Sequence, residues 1–331
     1  MSGFRLDGIA VVIPCYRVGR AVLDVIARIG PEVARIYCVD DACPDRTADL
    51  VEREAKDPRV VVIRHAANGG VGAAVVTGYK AAMADGMRVI VKVDGDGQMD
   101  PALLPAFVGP ILRGEADYTK GNRFYDPDGL KGMPPVRLVG NAALSLLTKA
   151  SSGYWTVFDP TNGYTAVHAA VLDLVPLDRL ARRYFFESDM LFRLNLARAV
   201  VLDVPMKAVY GSERSNLDPL RVAPEFLRRN LANLAKRIVY GYLLRDFNAA
   251  SLALLAGLPL TLFGLVYGAL TWAASAAANA LTPAGKVMIA ALPIIVGAQL
   301  LLTFFGFDMA AVPQRPIHPR LVEMKAALKR G

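Results

Sequence analysis

Two stretches near the C-terminus, residues 249–273 and 287–307, carry no charged side chain. Each reaches or exceeds the roughly 20 residues an α-helix needs to cross a hydrocarbon core. A soluble domain seldom buries two uncharged helices of that length, so the pattern predicts a membrane hairpin. The flanking charges orient it. Arg245 precedes the first stretch, only Lys286 lies between them, and Arg315, Arg320, Lys325, Lys329 and Arg330 follow the second. Basic flanks stay on the cytoplasmic side. The expectation is a multi-pass protein of the inner membrane with both termini cytoplasmic.

Just upstream, Leu227, Leu231, Leu234 and Ile238 recur at helical spacing among Arg221, Arg228, Arg229, Lys236 and Arg237. One apolar and one basic face is the pattern of a helix lying on an anionic lipid surface. The spans also account for a hydrophobic content of 54%, above the roughly 45–50% of soluble chains. The net charge of +8 suits nucleic acid, anionic lipid or phosphorylated ligands. Because the basic residues gather beside the spans and form no separate stripe, nucleic acid is not an expected partner.

The first two-thirds of the chain reads differently. Short apolar runs at 9–13, 35–39, 60–63 and 88–93 alternate with helix-like segments at 18–29, 47–56 and 72–85. That alternation predicts an α/β domain with a parallel sheet covered on both faces. Ligands of such sheets bind beyond the carboxyl ends of the strands, where the polar clusters 14–17, 40–45, 68–70 and 94–100 fall. Beyond about residue 118 the pattern loosens into a loop at 125–135, a helix at 136–150, the segment 159–168, a helix at 186–198 and a strand at 200–204. We read this as an extension of the same domain. The three cysteines, Cys15, Cys38 and Cys43, form no CxxC pair, which excludes a disulfide scaffold and a zinc site. His65 and His168 stand alone in sequence and are read as structural.

The chemistry concentrates in Val93-Asp-Gly-Asp-Gly-Gln98. Asp94 and Asp96 follow an apolar strand, with glycines that let the backbone approach a ligand. Two carboxylates so placed can hold Mg²⁺ or Mn²⁺ and share the ion with substrate phosphates. Three further segments accompany them: Val11-Val-Ile-Pro-Cys-Tyr16, Val39-Asp-Asp-Ala-Cys-Pro-Asp-Arg-Thr47 and Asn68-Gly-Gly-Val-Gly72.

With these in order over residues 9–125, the chain resembles the inverting family 2 glycosyltransferases. Within them it resembles the polyprenyl-phosphate glycosyltransferases of the dolichyl-phosphate mannose synthase type, through Asp94-Gly-Asp-Gly-Gln-Met-Asp-Pro101 above all. The resemblance implies a GT-A-type, Rossmann-like nucleotide-sugar domain followed by an amphipathic interface helix and two transmembrane helices. The expected boundaries are a cytoplasmic catalytic domain at 1–215, interfacial helices at 216–248, a first span at 249–273, a loop at 274–285, a second span at 286–308 and a basic tail at 309–331. It implies a nucleotide-sugar donor linked to UDP or GDP, a polyprenyl-phosphate acceptor, Mg²⁺ or Mn²⁺, contact with the bilayer and a homo-oligomer, the tetramer being the form of such relatives.

It also implies roles residue by residue. Pro14, Tyr16, Asp40 and Asp41 would line the nucleotide pocket, with Asn68 and Gly69 shaping it. Asp94 would contact ribose or metal, Asp96 would be the main metal ligand, and Gln98 would lie near the metal and diphosphate. Arg123 and Arg137, with Asn141 one turn further and Lys131 nearby, would bind the acceptor phosphate. Arg214, in Tyr210-Gly-Ser-Glu-Arg-Ser-Asn216, resembles a juxtamembrane arginine that closes over the diphosphate, although its spacing to serine departs from the family's. Asp159, in Phe158-Asp-Pro-Thr-Asn-Gly-Tyr164, would position acceptor or sugar, and Glu187 and Asp189 are further catalytic candidates. Two rival readings remain at this point: a processive polysaccharide synthase, whose Gln-x-x-Arg-Trp motif is missing around Trp155 and Trp272, and a non-catalytic membrane scaffold, against which both Asp94 and Asp96 speak.

Overall fold

The structure, a computed structural model, describes residues 8–125, 135–206 and 219–328. The chain divides into two units, Met1–Leu234 with Pro313–Gly331, and Ala235–Val312.

In the first unit the apolar runs become strands. β1 (Ile9–Cys15) is buried at every residue, as a strand covered on both faces must be. β2 (Arg35–Asp40), β3 (Val60–Arg64) and β4 (Val89–Lys92) follow the expected runs. Between them lie α1 (Ala21–Arg28), α2 (Thr47–Glu54) and α3 (Val71–Ala84). α1 buries Val22, Val25 and Ile26 along one stripe, the spacing that made it legible as a helix. α4 (Leu104–Leu112) and β5 (Tyr118–Asn122) lead to α5 (Pro135–Ser152), β6 (Thr165–His168), the short α6 (Ala169–Leu172), α7 (Phe186–Leu196) and β7 (Val201–Pro205).

The seven strands are ordered β3-β2-β1-β4-β6-β5-β7. β1 pairs in parallel with both β2 and β4, so the order reverses direction at the β1–β4 boundary. The four strands read from the alternation pair in parallel as expected, and one later strand departs from that pattern: β6 runs antiparallel to both β4 and β5. The reversal matters for the site. An antiparallel strand begins where its neighbours end, so the loop entering β6, residues 159–164, arrives at the same edge as the carboxyl ends of β4 and β5.

The basic tail expected at 309–331 holds α11 (His318–Leu328), which belongs to the first unit. Asp117, at the entry to β5, anchors its start by accepting from Ile317 N at 2.9 Å and His318 N at 2.8 Å, and also accepts from Val200 N, ahead of β7, at 2.8 Å. The His318 ring lies 2.8 Å from the same carboxylate and stacks on His168 at 4.4 Å. Lys325 pairs with Asp173 about two turns further along α11.

α8 (Pro219–Ile238) runs from the first unit into the second. Its inward face is Phe226, Asn230 and Asn233, with Asn230 accepting from Ser151 and Asn233 donating to Asp189. Leu227 and Leu231 are each 50% exposed, so this half of the apolar ridge seen in the sequence points outward, whereas Leu234 and Ile238 are half-buried.

The second unit continues through a π-helical turn (Val239–Arg245) into α9 (Ala249–Ala277), capped by Asn248 and Ser251, and α10 (Ala284–Ala310). Both helices are long and apolar enough to cross a membrane. They approach closely at Gly257, Gly264 and Gly297, where an added Cβ would fall within 3 Å of the facing helix, the small-residue packing typical of membrane helices. Their large side chains otherwise point outward, with Leu252, Leu262, Leu270 and Leu302 each more than half exposed. One ion pair is buried here: Asp308 accepts from Arg237 at 2.6 Å, and also from the Tyr242 hydroxyl at 2.6 Å.

Candidate active site

The polar clusters meet at the carboxyl ends of β1, β2, β4 and β5, beside the point where strand order reverses. Such a boundary leaves a crevice for a ligand. Pro14 and Cys15 lie in register with Val39 and Asp40 on β2, and Tyr16 emerges 42% exposed.

The two acidic residues after β2 are committed to backbone. Asp40 Oδ1 accepts from Cys43 N and Oδ2 from Ala48 N, both at 2.7 Å, closing the turn into α2. Asp41 accepts from Gly69 N at 2.8 Å and Gly70 N at 2.7 Å, and its Oδ1 is 2.8 Å from His65 Nδ1. Asn68 donates to Asp41 O, and His65 reaches Thr77 on its other side. These contacts fix the 68–70 turn against the end of β2, which forms one wall of the crevice. Asp40 and Asp41 therefore shape this wall, and their buried oxygens are directed to the turns.

The opposite wall is the end of β4. Asp94 and Asp96 are both partly exposed, and Asp96 Oδ1 accepts from Gln98 N at 3.0 Å. Asp94 Oδ1 lies 2.7 Å from Lys92 Nζ. The ammonium, 1% exposed, is also 3.3 Å from Glu187 Oε1 on α7 and donates to Gly163 O at 3.1 Å. Burial works against its charge, but Asp94 and Glu187 hold its pKa above that of an ordinary lysine. No room exists for a side chain at residue 163: a Cβ there would lie 2.4 Å from Lys92 Nζ and 2.5 Å from Asp94 Oδ2.

As a metal centre the pair has the right donors. Mg²⁺ and Mn²⁺ prefer carboxylate oxygens and complete their shell with substrate oxygens or water. No group of three or more His, Cys, Asp or Glu gathers to form a cage among the described residues. Asp94 and Asp96 supply two such oxygen donors, and a bound diphosphate could supply others.

The end of β5 carries Arg123. Its Nε and one terminal nitrogen donate to the two Asp159 oxygens at 2.7 and 3.0 Å, a bidentate pair that fixes the plane of the guanidinium. Asp159 is 1% exposed, and Asn162 also donates to it at 3.3 Å. This geometry makes Asp159 the partner that aims Arg123. Asp203 on β7 accepts from Asn122 at 3.0 Å, and burial pushes its carboxyl pKa up.

The expected residues thus fall into distinct sets. Asp94, Asp96 and Gln98 share the end of β4, Glu187 joins them through Lys92, and Arg123 and Asp159 form a pair. Asp189 is engaged elsewhere, with Ala181 N at 3.0 Å, Arg193 at 3.1 Å and Asn233 at 3.3 Å. Arg137 and Asn141 lie on α5, whose side chains at those positions are outside the described residues, as are Lys131 and Arg214. Lys92, Lys120, Asn162 and Gly163 were not singled out from the sequence. A lysine inside the buried run Val89-Ile-Val-Lys-Val93, two residues from an aspartate on the same strand face, was the available signal.

A family model described as "Glycosyl transferase family 2" matches residues 10–175. The UDP-N-acetylglucosamine–dolichyl-phosphate N-acetylglucosaminyltransferase of Methanococcus voltae is 30% identical over 216 residues, covering 61% of this chain and 86% of that protein. The undecaprenyl-phosphate mannosyltransferase of Micrococcus luteus is 29% identical over 205 residues, covering 61% of this chain and 83% of that protein. Among solved structures, glucosyl-3-phosphoglycerate synthase of Mycobacterium tuberculosis, crystallised with Mg²⁺ and UDP, matches with a TM-score of 0.53 at 21% identity, over 72% of this chain and 84% of that one. That likeness bears on the fold alone, which is the GT-A, Rossmann-like mixed sheet with helices. The matched segment spans half of the chain and contains the β1, β2, β4 and β5 ends that build the crevice, and on that ground this protein is a glycosyltransferase belonging to glycosyl transferase family 2.

Proposed function

We propose that the protein transfers a sugar from a UDP- or GDP-linked donor to a polyprenyl phosphate, with inversion at the anomeric carbon, to supply lipid-linked sugar for cell-envelope glycan or glycoconjugate synthesis. The observation that carries this reading is the pairing of a two-carboxylate strand end with an arginine held ready by a buried aspartate, in a chain that also has two helices fit to cross a membrane. The relatives named for transfer to dolichyl and undecaprenyl phosphate support it, as do fold neighbours crystallised with UDP and Mn²⁺ or Mg²⁺.

Pro14, Tyr16 and the wall formed by Asp40, Asp41, Asn68 and Gly69 would receive the nucleotide. Asp94 and Asp96 would hold Mg²⁺ or Mn²⁺, with Gln98 beside them. When bound, the ion supplies positive charge to the departing diphosphate, and Arg214 is proposed to add to it. Arg123, with Arg137, Asn141 and Lys131, would hold the acceptor phosphate. Charge-assisted, bidentate contacts suit a phosphate monoester and orient one oxygen toward the sugar. A phosphate is already ionised near neutral pH, so the chain need not supply a strong general base. That agrees with Asp159 being engaged to Arg123. The outward leucines of α8 and its basic residues would rest on the lipid surface. Both termini would face the cytoplasm, and a homotetramer is the proposed assembly.

The test is transfer itself. The full chain in detergent, given radiolabelled UDP- and GDP-sugars, Mn²⁺ and a short polyprenyl phosphate, is expected to move label into the lipid extract and to release nucleoside diphosphate. Chelation and Asp96→Asn are each expected to abolish transfer. Absence of lipid label with every donor would overturn the reading.

A further inference from the structure

The reaction outlined above uses neither of the two lysines buried beneath the crevice. Lys92 is 1% exposed and Lys120 is fully buried. They flank the same residue, since Lys92 on β4 and Lys120 on β5 are each in register with Thr165 on β6. Their ammonium groups reach consecutive carbonyls of the loop that enters β6. Lys120 Nζ donates to Asn162 O, and Lys92 Nζ donates to Gly163 O at 3.1 Å.

From there the contacts run outward in both directions. On one side Lys92 meets Asp94 at 2.7 Å and Glu187 at 3.3 Å. On the other, Asn162 Nδ2 donates to Asp159 Oδ2 at 3.3 Å, and Asp159 holds Arg123. Side chains and backbone thus connect a carboxylate at the end of β4 to the arginine at the end of β5.

Two buried cations flanking one residue are costly. Burial, assisted by Lys92, pulls the Lys120 pKa down to about 8, with Asp159 and Glu187 opposing the shift, and the group is still protonated at pH 7. Methionine or leucine would fill the same space without desolvating a charge. The charges therefore call for an explanation beyond packing, and electrostatics offers one. Asp159 alone would neutralise Arg123 and weaken its pull on a phosphate. Lys120 lies in the field of Asp159 and of Asp203 on β7, and so offsets part of that neutralisation.

We propose that Lys92 and Lys120 are positioning residues that clamp the 159–164 loop from both sides, Lys92 setting Asp94 for the nucleotide and Lys120 setting Asp159, and through it Arg123, for the acceptor phosphate. Both halves of this inference rest on the function proposed above, the donor half on its placing of nucleotide and metal at Asp94 and Asp96 and the acceptor half on its polyprenyl phosphate.

The test measures the two ligands separately by calorimetry on the full chain in detergent, using UDP with Mn²⁺ and, independently, farnesyl phosphate. Lys120→Met is expected to weaken farnesyl phosphate at least tenfold and UDP with Mn²⁺ less than threefold. Lys92→Met is expected to give the reverse split. Where either methionine variant fails to fold, Lys120→Gln and Gly163→Ala take their places. The first removes the charge and retains a donor, and the second forces Lys92 and Asp94 apart. Equal loss of both ligands in every folded variant, or loss of neither, overturns the clamp. If the unsubstituted chain binds UDP with Mn²⁺ but not farnesyl phosphate, the acceptor assignment and the acceptor half of the clamp fail together. The donor half is then decided by Lys92→Met.

Discussion

At the scale of single residues, the most informative contact is the bidentate Arg123–Asp159 pair. It gives Asp159 a role that can be separated from proton transfer. Asp159→Asn removes the charge that fixes the guanidinium. The acceptor KM is expected to rise on the order of tenfold, about what a charge-assisted hydrogen bond contributes, with the shape of the kcat–pH profile unchanged. Loss of an acidic limb from that profile would instead identify Asp159 as a proton acceptor. His168 offers a second residue-scale measurement. Burial, with His318 and Arg88 nearby, pulls its pKa down to about 4 from an ordinary value of 6.5. A depressed folded-state pKa means that its contribution is fully present above pH 6.5 and is lost as pH falls through 4. Denaturant unfolding in detergent at pH 7 and pH 4 is expected to differ by on the order of 3 kcal/mol from this group, and His168→Phe should flatten that dependence. From sequence, the acidic motif at 94–96 could be read because both aspartates follow an apolar strand. The pairing of Arg123 with Asp159 could not, because the partners lie on different segments and meet only through the reversed strand. Asp40 and Asp41 show the opposite difficulty: an aspartate at a strand end serves a turn or a ligand with the same sequence signature.

Among elements, the strands and helices up to β4 were legible because their apolar periods are unambiguous, buried runs for the strands and a 3.6-residue stripe for α1. The later strands are harder to recognise. β5 contains Thr119, Lys120, Gly121 and Asn122, all buried, and its polarity hides an interior strand whose Thr119, Lys120 and Asn122 side chains are hydrogen-bonded within the fold. β6 is only four residues long, and nothing in four residues announces its direction. Close packing of α3 gives an element-scale prediction. A Cβ at Gly72 would lie 2.3 Å from Ala181 O and 2.9 Å from Phe186. Backbone cannot yield as a flexible side chain does, so Gly72→Ala is expected to cost about 1–3 kcal/mol of overpacking, read as a lower melting temperature. An unchanged melting temperature would show that the 181–182 segment shifts freely.

For the molecule as a whole, the two units raise different questions. The second unit buries one ion pair, Arg237 with Asp308, and joins Tyr242 to it. Removing one partner leaves the other charge buried alone, which typically costs about 3–5 kcal/mol, whereas replacing both can be close to neutral. Arg237→Met is therefore expected to destabilise the detergent-solubilised chain strongly, and Arg237→Met with Asp308→Leu to recover much of the loss. Equal destabilisation by the single and double variants would argue against the pair. In the first unit, the absence of space at Gly163 bears on redesign. Its loop is held by ammonium groups rooted in two different strands, so it is not an exchangeable module. A graft of residues 159–164 from a related enzyme, made to alter the choice of acceptor, would have to import compatible residues at 92 and 120 as well, or the transplanted segment would lose its footing on both sides.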